Sequence, residues 1–266
     1  MRFILAILLS LCAARGQSPQ TATELWRVTW NDAVVTPQQK AAVTQAAYVL
    51  GLITNRSFYP DGVGPALDKG SLYITSQPGL GWTIAETSVS GSWAHPNGRQ
   101  DVILPKNITI TFNSDNFNPF TGEFVEGQTA LFAVSLHELL HSAIAWPIVY
   151  NGLAAEWFPQ FLVQADEGAW WGVAGLAAYK SEFDPTAQFI PLDGINGWHV
   201  SENAMPLDIL SESIDFDHLG YLSRTTIAML QDAGFNVSPN CPALSITSLV
   251  NVRRIPGLIP AQVYVP

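Results

Sequence analysis

Apolar and polar positions along the chain predict a mixture of helices and strands. After Thr36, apolar residues recur at helical spacing to about Thr54, with threonine at the cap and Pro37 in the first turn, which predicts an amphipathic helix. Residues 71–76 and 107–112 alternate apolar and polar side chains and predict strands. The Gly-, Ser- and Pro-rich segment between them predicts a loop that could include an edge strand.

A strongly apolar segment follows and predicts a buried helix from Thr129 to about Ala145. Thr129 is suited to cap this helix, and Pro147 is suited to stop it. Residues 172–179 and 223–233 predict two shorter helices, the second capped by its first serine. A helix, then strands, then further helices is typical of an α+β fold with a smaller C-terminal lobe.

The N-terminus carries a targeting signal. One arginine precedes an apolar run over residues 3–11, and small residues follow up to Gly16, which predicts a secretory signal peptide over residues 1–16. The apolar run is shorter than the roughly 20 residues that span a bilayer. We therefore expect a secreted, extracellular protein with no membrane span after signal cleavage. An uncleaved anchor is the alternative.

Composition narrows the class of protein further. The chain has 48% apolar residues and a formal net charge of -10, which favours a folded protein and argues against a nucleic-acid partner. Sequons at Asn55, Asn107 and Asn236 indicate a possible glycoprotein. Cys12 is expected to leave with the signal peptide, so Cys241 is expected to have no intramolecular disulfide partner.

The predicted apolar helix contains the motif His137-Glu138-Leu-Leu-His141. Residues four apart lie on one helix face, so both imidazoles can reach one tetrahedral Zn²⁺. Glu138 is placed to act as general base on the metal-activated water. The motif predicts a zinc-dependent hydrolase that cleaves peptide bonds. The alternative is a helix that carries these residues by chance.

A catalytic zinc site needs a third protein ligand, and the sequence leaves several candidates open. His199 and Glu167 both follow the motif, and residue type and position favour His199 only modestly. A glutamate ligand such as Glu167 or Glu156 would suit a thermolysin-type site. His95 and His218 are the remaining histidines.

Several segments resemble the leishmanolysin-like branch of the metzincins, a family of zinc metallopeptidases. They are residues 171–179, 189–192, the sequence Gly197-Trp198-His199, and residues 222–237, which resemble the final helix and exit strand of that family. Residues 104–112 resemble its strand before the active-site helix. The likeness covers about residues 36–237 and is most specific after residue 129.

The resemblance implies His199 as the third zinc ligand and a metzincin-like zincin fold, with a mixed twisted sheet, an active-site helix and a small C-terminal lobe. It implies a catalytic domain over residues 17–237, with an upper lobe to about 146, and a C-terminal tail over 238–266. It also implies an extended peptide or protein substrate that pairs with an edge strand at or near residues 104–112. It implies nothing about oligomeric state.

Two positions depart from the family pattern. Ile144 replaces the usual glycine after the second histidine, and Leu210 occupies the position of the methionine in the Met-turn, with Met205 nearby. These departures motivate a rival hypothesis, a secreted metzincin-like binding protein without catalytic activity.

Overall fold

The computed structural model describes residues 26–54, 70–94, 104–149, 168–193, 199–233, 235, 237 and 241–250. The predicted signal peptide, the sequons at Asn55 and Asn236 and most of the predicted tail lie outside these residues. Within them, the side chain of Asn107 is exposed.

The described residues form an α+β structure, which confirms the predicted fold class at that level. The helices are α1 (Pro37–Ile53), α2 (Gly127–Val149), α3 (Val173–Glu182), α4 (Arg224–Asp232) and α5 (Ile246–Leu249). The strands are β1 (Trp26–Trp30), β2 (Gly70–Gln77), β3 (Ala85–Ala94), β4 (Leu104–Asn113), β5 (Ala169–Trp170), β6 (Ile190–Asp193), β7 (His199–Val200), β8 (Tyr221–Leu222) and β9 (Leu244–Ser245).

Four strands form the main sheet in the order β1-β2-β4-β3. Strands β1, β2 and β4 are parallel, and β3 runs antiparallel to β4 at the edge of the sheet. Residues 104–112 form β4, which lies next to the edge strand and not at the edge itself, so the expectation that they lie at or near the edge holds in its second form. The edge strand comes from the segment predicted mainly as a loop, because pairing with β4 supplies the order that its composition does not.

Helix α1 begins as predicted. The Thr36 hydroxyl accepts from the Gln39 N–H at 3.2 Å, and the Gln39 side chain accepts from the Thr36 N–H at 2.6 Å. This reciprocal pair is a capping box, which satisfies two N–H groups that a helix start would otherwise leave unbonded.

Helix α2 is buried along most of its length. Every residue from Ala130 to Ile144 is buried, as expected for a helix that is apolar on all sides. The buried hydroxyl of Ser135 donates to the Leu131 carbonyl at 2.7 Å. The helix starts at Gly127 and continues to Val149, so the predicted cap at Thr129 and stop at Pro147 are both wrong. Proline removes one helical hydrogen bond, but its fixed φ angle is helical. Pro147 therefore stays within α2, and the helix ends two residues later, at Val149.

A second group of elements follows α2. Strands β5, β6 and β7 form one small sheet, and β8 pairs with β9. Helix α4 begins after Ser223, whose hydroxyl accepts from the Thr226 N–H at 2.9 Å, which confirms the predicted cap.

Helices α3 and α4 pack together, and each one caps the other. Glu182, the last residue of α3, accepts from the Arg224 and Thr225 N–H groups at the start of α4. Asp232, the last residue of α4, accepts from two N–H groups at the start of α3 and from the Trp170 indole. Carboxylates at helix N-termini also interact favourably with the helix dipole.

Cys241 is buried, with 3% of its surface exposed. Cys12, the other cysteine of the chain, lies outside the described residues, so the absence of an intramolecular disulfide after signal cleavage stays a prediction. Among the described helices, none combines the length and apolar character that a bilayer-spanning segment requires.

Asp232→Ala should lower the free energy of unfolding by about 1–2 kcal/mol, because helix caps of this kind contribute that much and the partner N–H groups would be left unbonded. Urea denaturation measures the change. Asp217→Asn, at an exposed carboxylate, is the control and should leave the denaturation midpoint unchanged. Equal midpoints for both variants would show that the cap contributes nothing.

Candidate metal centre

Three histidine side chains from two distant parts of the chain converge. The Nε2 atom of His141 lies 2.8 Å from Nε2 of His137 and 3.1 Å from Nε2 of His199. One nitrogen from each ring lies within 4.8 Å of the other two. The structure therefore brings together the two motif histidines and the histidine favoured as the third ligand.

Helix geometry brings the first two rings together, and the small sheet supplies the third. His137 and His141 are four residues apart on α2, and their ring centroids are 4.4 Å apart. His199 begins β7, which pairs with β6. The separation of 58 residues between His141 and His199 is closed entirely by tertiary structure.

The proton on His137 is placed by a backbone contact. Its Nδ1 lies 2.6 Å from the Ile209 carbonyl oxygen. A carbonyl oxygen only accepts, so the Nδ1 atom carries the proton and Nε2 keeps its lone pair. This orientation of a histidine by a carbonyl is the usual support for a metal ligand.

Burial keeps all three imidazoles neutral at neutral pH. It lowers the pKa of His137. It also brings the pKa of His141 well below its ordinary value, and electrostatic repulsion from the other two histidines lowers that pKa further. Burial also lowers the pKa of His199 to about 4. Neutral imidazole is the form that binds a metal ion.

The arrangement suits a metal ion. Ligand nitrogens at about 2.0–2.1 Å from a tetrahedral ion are about 3.3–3.4 Å apart, close to the observed 2.8 and 3.1 Å. A proton on Nε2 of His141 could bond only one neighbour, whereas one cation could bind all three lone pairs. Three imidazoles are a donor set that zinc, copper, iron and nickel accept.

Glu138 lies beside the first histidine and is also buried, with 4% of its surface exposed. The Thr87 hydroxyl on β3 lies 2.6 Å from Oε2 of Glu138 and 3.0 Å from its carbonyl oxygen. Burial raises the pKa of Glu138 to about 7, against the opposing effect of the Thr87 hydrogen bond, and the charge of Glu86 raises the pKa slightly more. A carboxyl that titrates near neutral pH can both accept and release a proton.

A turn over residues 207–211 lies against the histidines. Besides the Ile209 carbonyl, which accepts from His137, the Leu210 carbonyl accepts from the Val200 N–H at 3.1 Å. Leu210 and Met205 are both buried, at 2% and 0% exposed. Leu210 therefore supplies apolar packing at the position where the resemblance implies methionine.

Of the other candidate ligands, the structure describes only His218, which does not join this cluster. His218 is on the surface, with its side chain 73% exposed and 3.0 Å from Asp215. His95, Glu156 and Glu167 lie outside the described residues. Sequence reasoning missed Thr87, because its segment was predicted mainly as a loop and nothing in its composition relates it to Glu138. No protein-family model and no curated protein matches the chain.

His141→Ala and His199→Ala should each weaken binding of a divalent metal by more than the about 10–100-fold typical of losing an outer partner of a ligand. Nε2 of His141 takes part in both short distances, so His141→Ala should weaken metal binding the most. Metal content after dialysis against a weak chelator is the measurement.

His218→Ala is the matched control for these variants and should keep the metal content of the unaltered protein. Glu167→Ala tests the thermolysin-type alternative. Loss of metal in Glu167→Ala but not in His199→Ala would contradict the histidine cluster.

Proposed function

We propose that this protein is a secreted zinc-dependent endopeptidase of the metzincin type. The observation that carries this proposal is the convergence of three neutral imidazoles, two buried and one half-buried, beside a buried carboxyl with a pKa of about 7. His137, His141 and His199 would hold Zn²⁺, and Glu138 would act as general base. The order of elements is consistent with a metzincin, since the motif helix precedes the third histidine, the turn over residues 207–211 and α4.

Zinc is the metal that we propose because three histidines with one open position form a common catalytic zinc site. Bound Zn²⁺ would act as a Lewis acid that lowers the pKa of a water molecule and polarises a peptide carbonyl. The residues of the chain supply the remaining chemistry.

Glu138 would move the protons of the reaction. Its carboxylate would take a proton from the attacking water and then pass that proton to the leaving amine. Thr87 fixes Oε2 of Glu138, so the carboxylate does not have to be ordered during the reaction.

Strand β3 supports an extended peptide or protein as the substrate. It lies at the edge of the main sheet and carries Thr87, which contacts the proposed base. An extended chain could add to this edge through backbone hydrogen bonds. A scissile bond held along β3 would then pass close to Glu138.

Glu138→Gln should leave metal binding intact and reduce kcat/KM by about 100- to 10,000-fold, the range that general acid–base catalysis contributes. Cleavage of a broad peptide library, measured beside metal content, separates the two effects. Glu123→Gln, at an exposed carboxylate in a loop, is the control and should cleave normally.

Removal of the metal by a chelator should stop cleavage, and added Zn²⁺ should restore it. If the unaltered protein holds zinc yet cleaves nothing in the library, the rival hypothesis of an inactive binding protein replaces the peptidase. Unchanged turnover in Glu138→Gln would remove this residue as the base.

Thr87→Val should lower kcat by about 10-fold, because a hydrogen bond to a charged group contributes about 1.5–3 kcal/mol. Thr87→Ser keeps the hydroxyl and should keep most of the activity. Steady-state kinetics on one cleaved peptide measures both variants. If the serine variant is as slow as the valine variant, packing of the methyl group matters and the hydrogen bond does not.

A further inference from the structure

Asp208 is a buried carboxylate in the turn over residues 207–211, with 2% of its surface exposed. Its Oδ1 accepts from the Leu210 N–H and the Thr226 hydroxyl, each at 2.8 Å. Its Oδ2 accepts from the Ser223 N–H at 3.1 Å. A buried carboxylate is costly unless it is hydrogen-bonded, and these bonds join the turn to the start of α4.

The turn that Asp208 holds is strained. Leu207 has a φ angle of 62°, the left-handed conformation that residues with a side chain rarely adopt. Gly220 lies against it so closely that a Cβ atom there would be 2.0 Å from the Leu207 carbonyl oxygen. A backbone in this conformation persists only where surrounding contacts fix it.

Through consecutive carbonyl groups, the same turn contacts His137 directly and the strand that carries His199. The Ile209 carbonyl accepts from Nδ1 of His137 at 2.6 Å, and the Leu210 carbonyl accepts from Val200, the residue after His199. Any shift of the turn would therefore move the ring of His137 and the strand of His199 together.

We propose that Asp208 is a positioning residue for the metal centre. Its carboxylate fixes the turn, and the turn fixes the tautomer of His137 and the place of His199. The inference rests on the proposed function only in requiring that the three histidines bind a metal ion. It adds a residue outside the His-Glu-X-X-His motif on which metal affinity depends.

The test compares two buried carboxylates in the full chain. Asp208→Asn replaces one carboxylate oxygen, which accepts from one or two of the three donors, by an amide N–H₂ group that cannot accept. Asp232→Asn makes the same change at the α3 cap, which contacts none of the three histidines. Zinc affinity is measured by competition with a chromogenic chelator, and the stability of the metal-free protein is measured beside it. Zinc affinity should fall about 10–100-fold in Asp208→Asn, as for other outer partners of metal ligands, and should not change in Asp232→Asn.

A second matched pair keeps the inference testable if Asp208→Asn does not fold. Thr225 and Thr226 are adjacent, buried residues of α4, and each donates its hydroxyl to a carboxylate at 2.8 Å. The partner of Thr226 is Asp208, and the partner of Thr225 is Glu182. Thr226→Val should weaken zinc binding several-fold, whereas Thr225→Val should change only the stability of the metal-free protein.

The outcomes separate this inference from the proposed function. If the unaltered protein binds no zinc, the proposed function itself fails. If it binds zinc but the two members of each pair lose affinity equally, the proposed function stands and the role of Asp208 is overturned.

Discussion

The convergence of three imidazole nitrogens in a buried place is the constraint on which the site depends. Nε2 of His141 lies 2.8 Å from Nε2 of His137 and 3.1 Å from Nε2 of His199. Lone pairs on nitrogens this close repel one another unless a proton or a cation lies between them. Burial lowers the pKa of each ring and so disfavours the doubly protonated imidazolium form. The neutral rings lie close enough together to hold one metal ion. The same burial raises the pKa of Glu138 to about 7. Burial thus shifts the pKa of the candidate ligands and of the proposed base in the directions that these roles require.

The surrounding fold holds this arrangement from two sides. On one side, the edge strand β3 contacts Glu138 through the Thr87 hydroxyl. On the other side, the turn over residues 207–211 contacts His137 and the strand of His199. Asp208 ties that turn to α4, and α4 is in turn capped by Glu182. The small helices and sheets after α2 therefore have a structural relation to the site that their sequence alone does not reveal.

The departures from the metzincin pattern are consistent with this structure. Ile144 is buried within α2, and the helix continues to Val149, so no glycine is needed at that position. Leu210 is buried and gives its carbonyl to Val200. That bond uses the backbone, so leucine can occupy the position as well as methionine. The proposed zinc site is therefore compatible with both residues.

The sequence by itself determined what depends on neighbouring residues. Helical spacing placed His137 and His141 on one face of a buried helix, and cap residues set the starts of α1 and α4. Tertiary structure decided what depends on distant pairing. It placed His199 in the cluster, formed edge strand β3 from the segment predicted mainly as a loop, and brought Thr87 to Glu138. Local spacing cannot encode these choices. The contacts of Thr87 with Glu138 and of His141 with His199 each cross more than 50 residues, and β3 depends on its pairing with β4.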